Sequence, residues 1–183
     1  IASDPTYEEG NLQITGNSDW GATPSTISTS TSGKYYAECK IIAQANAYGQ
    51  FGIFVTDSWT SHTLGYTHTS THSIVWTIDY RSGQSKIEGT ATDNVFVQTP
   101  TSFSDGDIIG MAVDVDNGKL YFHRNGTYVT YGGGVQNPSS GSNGINLPSS
   151  TSGYYIIGNI YPNQKLSLNF GSPAFSISSG NAD

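Results

Sequence analysis

The chain has 183 residues, 35% of them hydrophobic and only 11% charged, with a formal net charge of −7. That length and apolar content suit one domain built on one sizeable core. The negative field disfavours a phosphate backbone or an anionic lipid surface, so no nucleic acid and no membrane is expected as a partner. The seven basic residues are scattered and form no patch, and no apolar run approaches the ~20 residues of a membrane helix. Ser, Thr and Gly take the place of charge, and 12 tyrosines suit a pleated surface.

In chain order, residues 1–10 read as a linker and Asn11–Thr15 as the first strand. Trp20 beside Gly21 is placed at the base of the core. Lys34–Ala43 is a longer strand that carries Cys39, the only cysteine, so no intrachain disulfide forms. A reactive thiol needs a nearby cation, and Lys40 points to the opposite face of a strand, so Cys39 reads as a small buried hydrophobe. Phe51, Ile53 and Val55 then alternate with Gly52, Phe54 and Thr56. Asp57–Thr71 is not strand-like and holds Trp59, His62, Tyr66 and His68 among Ser and Thr. Ser73–Asp79, with Trp76 as a core residue, Ser85–Glu88 and Asn94–Gln98 resume the strand pattern, with Tyr80 and Arg81 in a loop between them.

The sharpest local signal follows. Asp107–Asp116, Lys119–Arg124 and Thr127–Thr130 are separated by Asn117-Gly118 and Asn125-Gly126. Asn-Gly suits both central positions of a type I′ turn, so these segments are expected to form a three-stranded meander. Tyr131–Ser152, rich in Gly, Ser and Pro, reads as a long loop of the functional or mobile kind. Tyr154–Tyr161 alternates again, as do Leu166, Leu168 and Phe170, and residues 172–183 read as a C-terminal linker. Met111 is the only methionine and no signal-peptide pattern opens the chain, so a piece of a longer protein is expected. Many short strands with regular turn signals and no amphipathic helix predict an all-β sandwich or barrel.

Four runs resemble the SPRY domain family. They are Gly33-Lys34-Tyr35-Tyr36-Ala37-Glu38; Phe51-Gly52-Ile53-Phe54; Gly106-Asp107-Ile108-Ile109-Gly110 with Asp114, Asn117-Gly118, Phe122 and Asn125-Gly126; and Pro162 with Leu166, Leu168, Asn169, Phe170 and Gly171. Their order and span place an SPRY-like sandwich over residues 11–171. The wording is most similar to SPRY-like modules of bacteriophage structural proteins, which share the Ser/Thr/Gly-rich composition. The resemblance implies a lectin-like sandwich of two antiparallel sheets that binds other proteins or surface ligands through loops, without catalysis. The long Tyr131–Ser152 segment and the low charge depart from animal members, so no animal peptide-binding residue is carried over.

Several groups invite chemistry. Asp114 and Asp116, two apart on one strand, would lie about 6–7 Å apart, near the spacing of glycosidic acid/base pairs. Asp116, however, directly precedes an Asn-Gly turn, where Asp is an ordinary turn residue. His68 and His72 on a strand would be ~13 Å apart, too far for one metal ion, and with His62 they read as polar surface. Asp107 is expected to order its turn through its side chain. No Gly-x-Ser-x-Gly elbow occurs. Asn125-Gly126-Thr127 is a formal glycosylation sequon better explained by turn chemistry. No catalytic residue, cofactor or metal site is therefore expected.

The expected function is a non-catalytic binding or structural module of a phage virion protein, in a tail fibre, spike or capsid decoration. It would contact a host protein or glycan, or a neighbouring virion protein, through loops bearing Trp59, Tyr66, Tyr80, Arg81 and Tyr131. Oligomerisation would come through the parent protein and localisation would be the virion surface. The alternatives are a carbohydrate-active enzyme on a lectin-like sandwich and an intracellular SPRY-type adaptor.

Overall fold

The structure, a computed structural model, describes residues 5–17, 21–44, 48–56, 73–79, 86–89, 95–96 and 103–171. The strands are β1 (Thr6–Glu8), β2 (Gln13–Thr15), β3 (Gly21–Ser28), β4 (Lys34–Gln44), β5 (Tyr48–Val55), β6 (Ser73–Asp79), β7 (Lys86–Gly89) and β8 (Val95–Phe96). They continue as β9 (Ile108–Asp114), β10 (Lys119–Arg124), β11 (Thr127–Tyr128), β12 (Thr130–Tyr131), β13 (Gly134–Val135), β14 (Ile145–Asn146), β15 (Tyr154–Ile160) and β16 (Gln164–Asn169). One sheet runs β1-β2-β16-β4-β9-β10-β11, with β14 also on β10, and the other runs β3-β15-β5-β6-β7-β8. Neighbours in both sheets are antiparallel, as in the expected sandwich.

Period-two alternation builds the core. Cys39 and Ala37 on β4, Ile109 and Met111 on β9, and Leu166 and Leu168 on β16 sit in cross-strand register and turn inward. Phe51, Ile53 and Trp76 come from the opposite sheet into the same buried cluster. Trp76 meets Phe103 and Phe122 edge-on, at centroid distances of 5.3 and 5.7 Å, a geometry the ring quadrupoles favour. Burial pushes the Cys39 thiol's pKa up, away from the reactive thiolate. Both expectations, a core Trp76 and an inert Cys39, hold.

The meander β9-β10-β11 forms as expected, but its two turns differ. Asn125 (φ 50°) and Gly126 (φ 82°) both take positive φ between paired Arg124 and Thr127, the type I′ pattern. At the first turn only Gly118 is positive (φ 62°), and β9 ends at Asp114 rather than Asp116. The physical reason is Asp114 itself. Its carboxylate accepts from Asn117 N–H (3.0 Å) and Asn117 Nδ2 (2.9 Å), which winds residues 115–118 into a longer loop.

Tyr131–Ser152 is not an open loop. β12 and β13 form a small hairpin, Asn137 bridges Ser142, and β14 returns to pair with Lys119 and Leu120 of β10. Ile145 enters the core, and the Gln136 side chain accepts the Phe122 N–H (2.7 Å), standing in for a strand partner. Residues 6–8, inside the expected N-terminal linker, pair as β1 with β2. Phe170 lies beyond the end of β16 and is 41% exposed, so it leaves the alternation of Leu166 and Leu168.

Candidate functional site

The residues singled out for binding separate into two groups. Trp59, Tyr66, Tyr80 and Arg81 lie outside the described residues, as do His62, His68, His72 and Trp20. Tyr131 is described: it ends β12 beside the turn of the β12–β13 hairpin, is half-buried and packs against the main core. The hairpin beyond it presents Val135, 59% exposed, at its edge. The polar stretch 137–144 is therefore pinned at both ends, by Gln136 on β10 and by β14, with the exposed Val135 just before the first pin.

The candidate acids are engaged in holding the chain together. Asp114 accepts Lys34 Nζ (2.8 Å) besides its Asn117 bonds. Burial favours its neutral form, but the Lys34 and Asn117 bonds outweigh this and hold the carboxyl below the usual range. It stays charged at neutral pH and makes a poor proton donor. Asp116 Oδ1 accepts the Gly33 N–H (2.7 Å) and ties the loop before β4 to the meander. Among the described residues no group of three His, Cys, Asp or Glu could hold a metal ion.

Asp107 orders its turn as expected. Its carboxylate accepts Ser104 N–H (2.7 Å) and Asn125 Nδ2 (2.7 Å) and pairs with Arg124. Partial burial opposes its charge, but these bonds outweigh it and lower the pKa. Arg124 in turn lies over the Phe103 ring, 4.7 Å from the centroid. Asp107→Ala should cost roughly 2 kcal/mol, the scale of lost hydrogen bonds to a charged group. The check is a lowered urea midpoint at unchanged slope.

Sequence reasoning missed two features. The first is a buried polar chain on the outer face of the β4-β9-β10 sheet. Gly126 N–H donates to His123 Nδ1 (3.1 Å), so the ring's proton sits on Nε2. Nε2–H donates to Tyr36 Oη (2.6 Å), and Tyr36 O–H donates to Glu38 Oε1 (2.5 Å). Glu38 and His123 are fully buried, and the Tyr128 ring meets His123 edge-on. Burial lowers the His123 pKa to about 4, with Glu38 opposing weakly, so the imidazole is neutral. Gly110 opposite His123 is the sequence signal for this packing, since only a residue without Cβ leaves room for the ring.

The second is a cleft of about 580 Å³ between β3 and the β1–β4 side of the other sheet. Tyr7, Ile27, Tyr35, Ile156 and Phe170 supply apolar walls, and Thr23 bonds Tyr7 Oη across it (3.4 Å). Its signal in the sequence is faint, because half of Gly21–Ser28 is hydroxyl residues and the stretch also carries Pro24.

No family model and no curated protein matches this chain. Solved structures do. The SPRY domain of human HERC1 is 18% identical, with a TM-score of 0.60 over 92% of this chain and 94% of that one. A human SPRY domain is 13% identical, with a TM-score of 0.62 over 92% and 96%. The TRIM65 PSpry domain is 11% identical, with a TM-score of 0.58 over 90% and 85%. The chain therefore has the SPRY fold.

Proposed function

We propose that this chain is a non-catalytic binding module that engages a protein or glycan ligand through loops at one edge of the sandwich. The observation that carries this is the pinned Tyr131–Ser152 segment. It has the form of a preorganised contact surface, pinned at Gln136 and at β14, with Val135 exposed on β13 just before the first pin. Trp59, Tyr66, Tyr80 and Arg81 would add aromatic and cationic contacts to this surface. The structural engagement of Asp114, Asp116 and His123 supports binding over hydrolysis.

The setting we propose is a phage virion, as part of a tail fibre, spike or capsid decoration. Support for it comes from the Ser/Thr/Gly-rich, weakly charged composition and the wording of the closing strand, Asn169-Phe170-Gly171-Ser172-Pro173. Repetition on a particle would turn weak single contacts into avidity. The test is retention of the labelled domain on isolated bacterial envelopes. Wild type should be retained, and the triple variant W59A/Y66A/R81A should lose about tenfold or more, one lost contact's worth of affinity. Equal retention by the triple variant would count against the reading.

A further inference from the structure

Three Asn-Gly dipeptides stand in the second half of the chain: Asn117-Gly118, Asn125-Gly126 and Asn143-Gly144. An Asn before Gly is open to attack by the next backbone nitrogen, because Gly has no Cβ to shield that nitrogen or to stiffen the chain around it. The attack needs the Gly nitrogen to swing onto the Asn Cγ. What holds those two atoms therefore decides which of the three dipeptides can react.

Asn125 is held on every side. Its N–H donates to Ile108 O (2.8 Å), its Oδ1 accepts the Ile108 N–H (2.8 Å) and its Nδ2 donates to Asp107 Oδ1 (2.7 Å). The Gly126 N–H is committed to the buried His123 Nδ1 (3.1 Å). Asn143 is half-buried and donates Nδ2 to Val135 O (3.0 Å). Gly144 behind it is wedged, since a Cβ there would fall 2.7 Å from the fully buried Tyr121 ring, so turning this backbone means displacing a packed side chain. Asn117 differs at each point. It is exposed, and among the described residues its Oδ1 accepts no hydrogen bond. The Gly118 N–H reaches Val115 O only at 3.3 Å, and a Cβ on Gly118 would meet nothing within 4 Å. One residue, Asp114, restrains the Asn117 side chain, through Nδ2 (2.9 Å).

We propose that Asn117 is a site of spontaneous covalent modification, deamidating through a succinimide while Asn125 and Asn143 persist. The Gly118 nitrogen gives up its proton and bonds to Asn117 Cγ. The Cγ–Nδ2 bond breaks, and Nδ2 leaves as ammonia with that proton. One water then opens the ring, at Cγ to give aspartate or at the backbone carbonyl to give isoaspartate. Either product carries a carboxylate beside Asp114. In the aspartate product an oxygen replaces Nδ2 opposite Asp114 Oδ2, so a hydrogen bond becomes a contact between like charges, with Lys34 left to serve both. The isoaspartate product also lengthens the main chain by one carbon before Gly118, whose carbonyl accepts the Leu147 N–H (3.0 Å). Modification therefore loosens the turn between β9 and β10 and, through Leu147, the end of the Tyr131–Ser152 segment.

The experiment incubates the intact chain at mildly alkaline pH and follows each Asn-Gly peptide by mass, beside the same chain unfolded in urea. In urea the three sites should convert at similar rates. In the folded chain Asn117 should convert faster than Asn125 and Asn143 by about tenfold or more, the rate equivalent of one further hydrogen bond that must open first. The modified chain, separated by its added negative charge on anion exchange, should show faster amide exchange at Leu147. Asn117→Asp, which reproduces the aspartate product, should lower the urea midpoint more than Asn117→Ser, which removes the amide without adding charge. Conversion of Asn125 or Asn143 ahead of Asn117 would overturn the proposal. So would an intact Asn117 over the interval in which the unfolded chain converts. Unchanged Leu147 exchange in the modified chain, or equal midpoints for the two variants, would overturn the consequence assigned to it.

Discussion

Gly110→Ala should lower stability by roughly 3 kcal/mol, the upper part of the range for overpacking a filled site. A Cβ at residue 110 would fall inside the contact radius of His123 Nε2 and Cε1. His123 cannot tilt aside without losing the Gly126 N–H at one nitrogen and Tyr36 Oη at the other. Tyr36 would then hold the buried Glu38 carboxylate with less support, which raises the cost further. A Tm lower by about 6–12 °C follows for a domain of this size. The double variant Gly110→Ala/His123→Ala isolates the mechanism, because removing the ring should make the two costs less than additive. Additive costs, or a loss below about 0.5 kcal/mol for Gly110→Ala, would mean the ring is not held as described.

Acid should act on the same chain. The His123 pKa falls from 6.5 to about 4 because its site is buried. Between those values the unfolded chain binds a proton that the folded chain refuses. Stability therefore rises with pH through this window, is complete above pH 6.5, and is lost as pH falls toward 4. The loss across the window is about 3 kcal/mol. Asp107 and Asp114, whose pKa values are held low, act in the same direction but only at lower pH, as they become protonated in the fold. His123→Phe should flatten the profile between pH 6.5 and 4 while leaving the steeper acid limb in place. The measurement is the urea midpoint at a series of pH values.

Alternation made much of the sandwich legible. Ser73–Asp79 and Lys119–Arg124 match β6 and β10 residue for residue, and Asn125-Gly126 gives the I′ turn it implies. The same rule hid the polar chain. Glu38 and His123 occupy the alternate row that reads as solvent-facing, yet both are fully buried. Their link runs through Tyr36, 87 residues from His123, and no local pattern encodes it. Asn117-Gly118 misled because a side chain, Asp114, set the turn in place of the dipeptide. Tyr131–Ser152 misled because Gly and Pro content conceals two anchors, Gln136 and Ile145, that are single residues rather than a periodic run. β3 escaped notice because an edge strand beside a cleft needs little apolar alternation.

Hydrogen-exchange footprinting of the intact chain on bacterial envelope polysaccharide, with the polysaccharide's mass followed in the same sample, tests the central claim most directly. Exchange should slow across Tyr131–Ser152 and across residues 59–66 while the polysaccharide mass stays constant. Release of shortened glycan, or unchanged exchange in both segments, would contradict a non-catalytic module that binds through them.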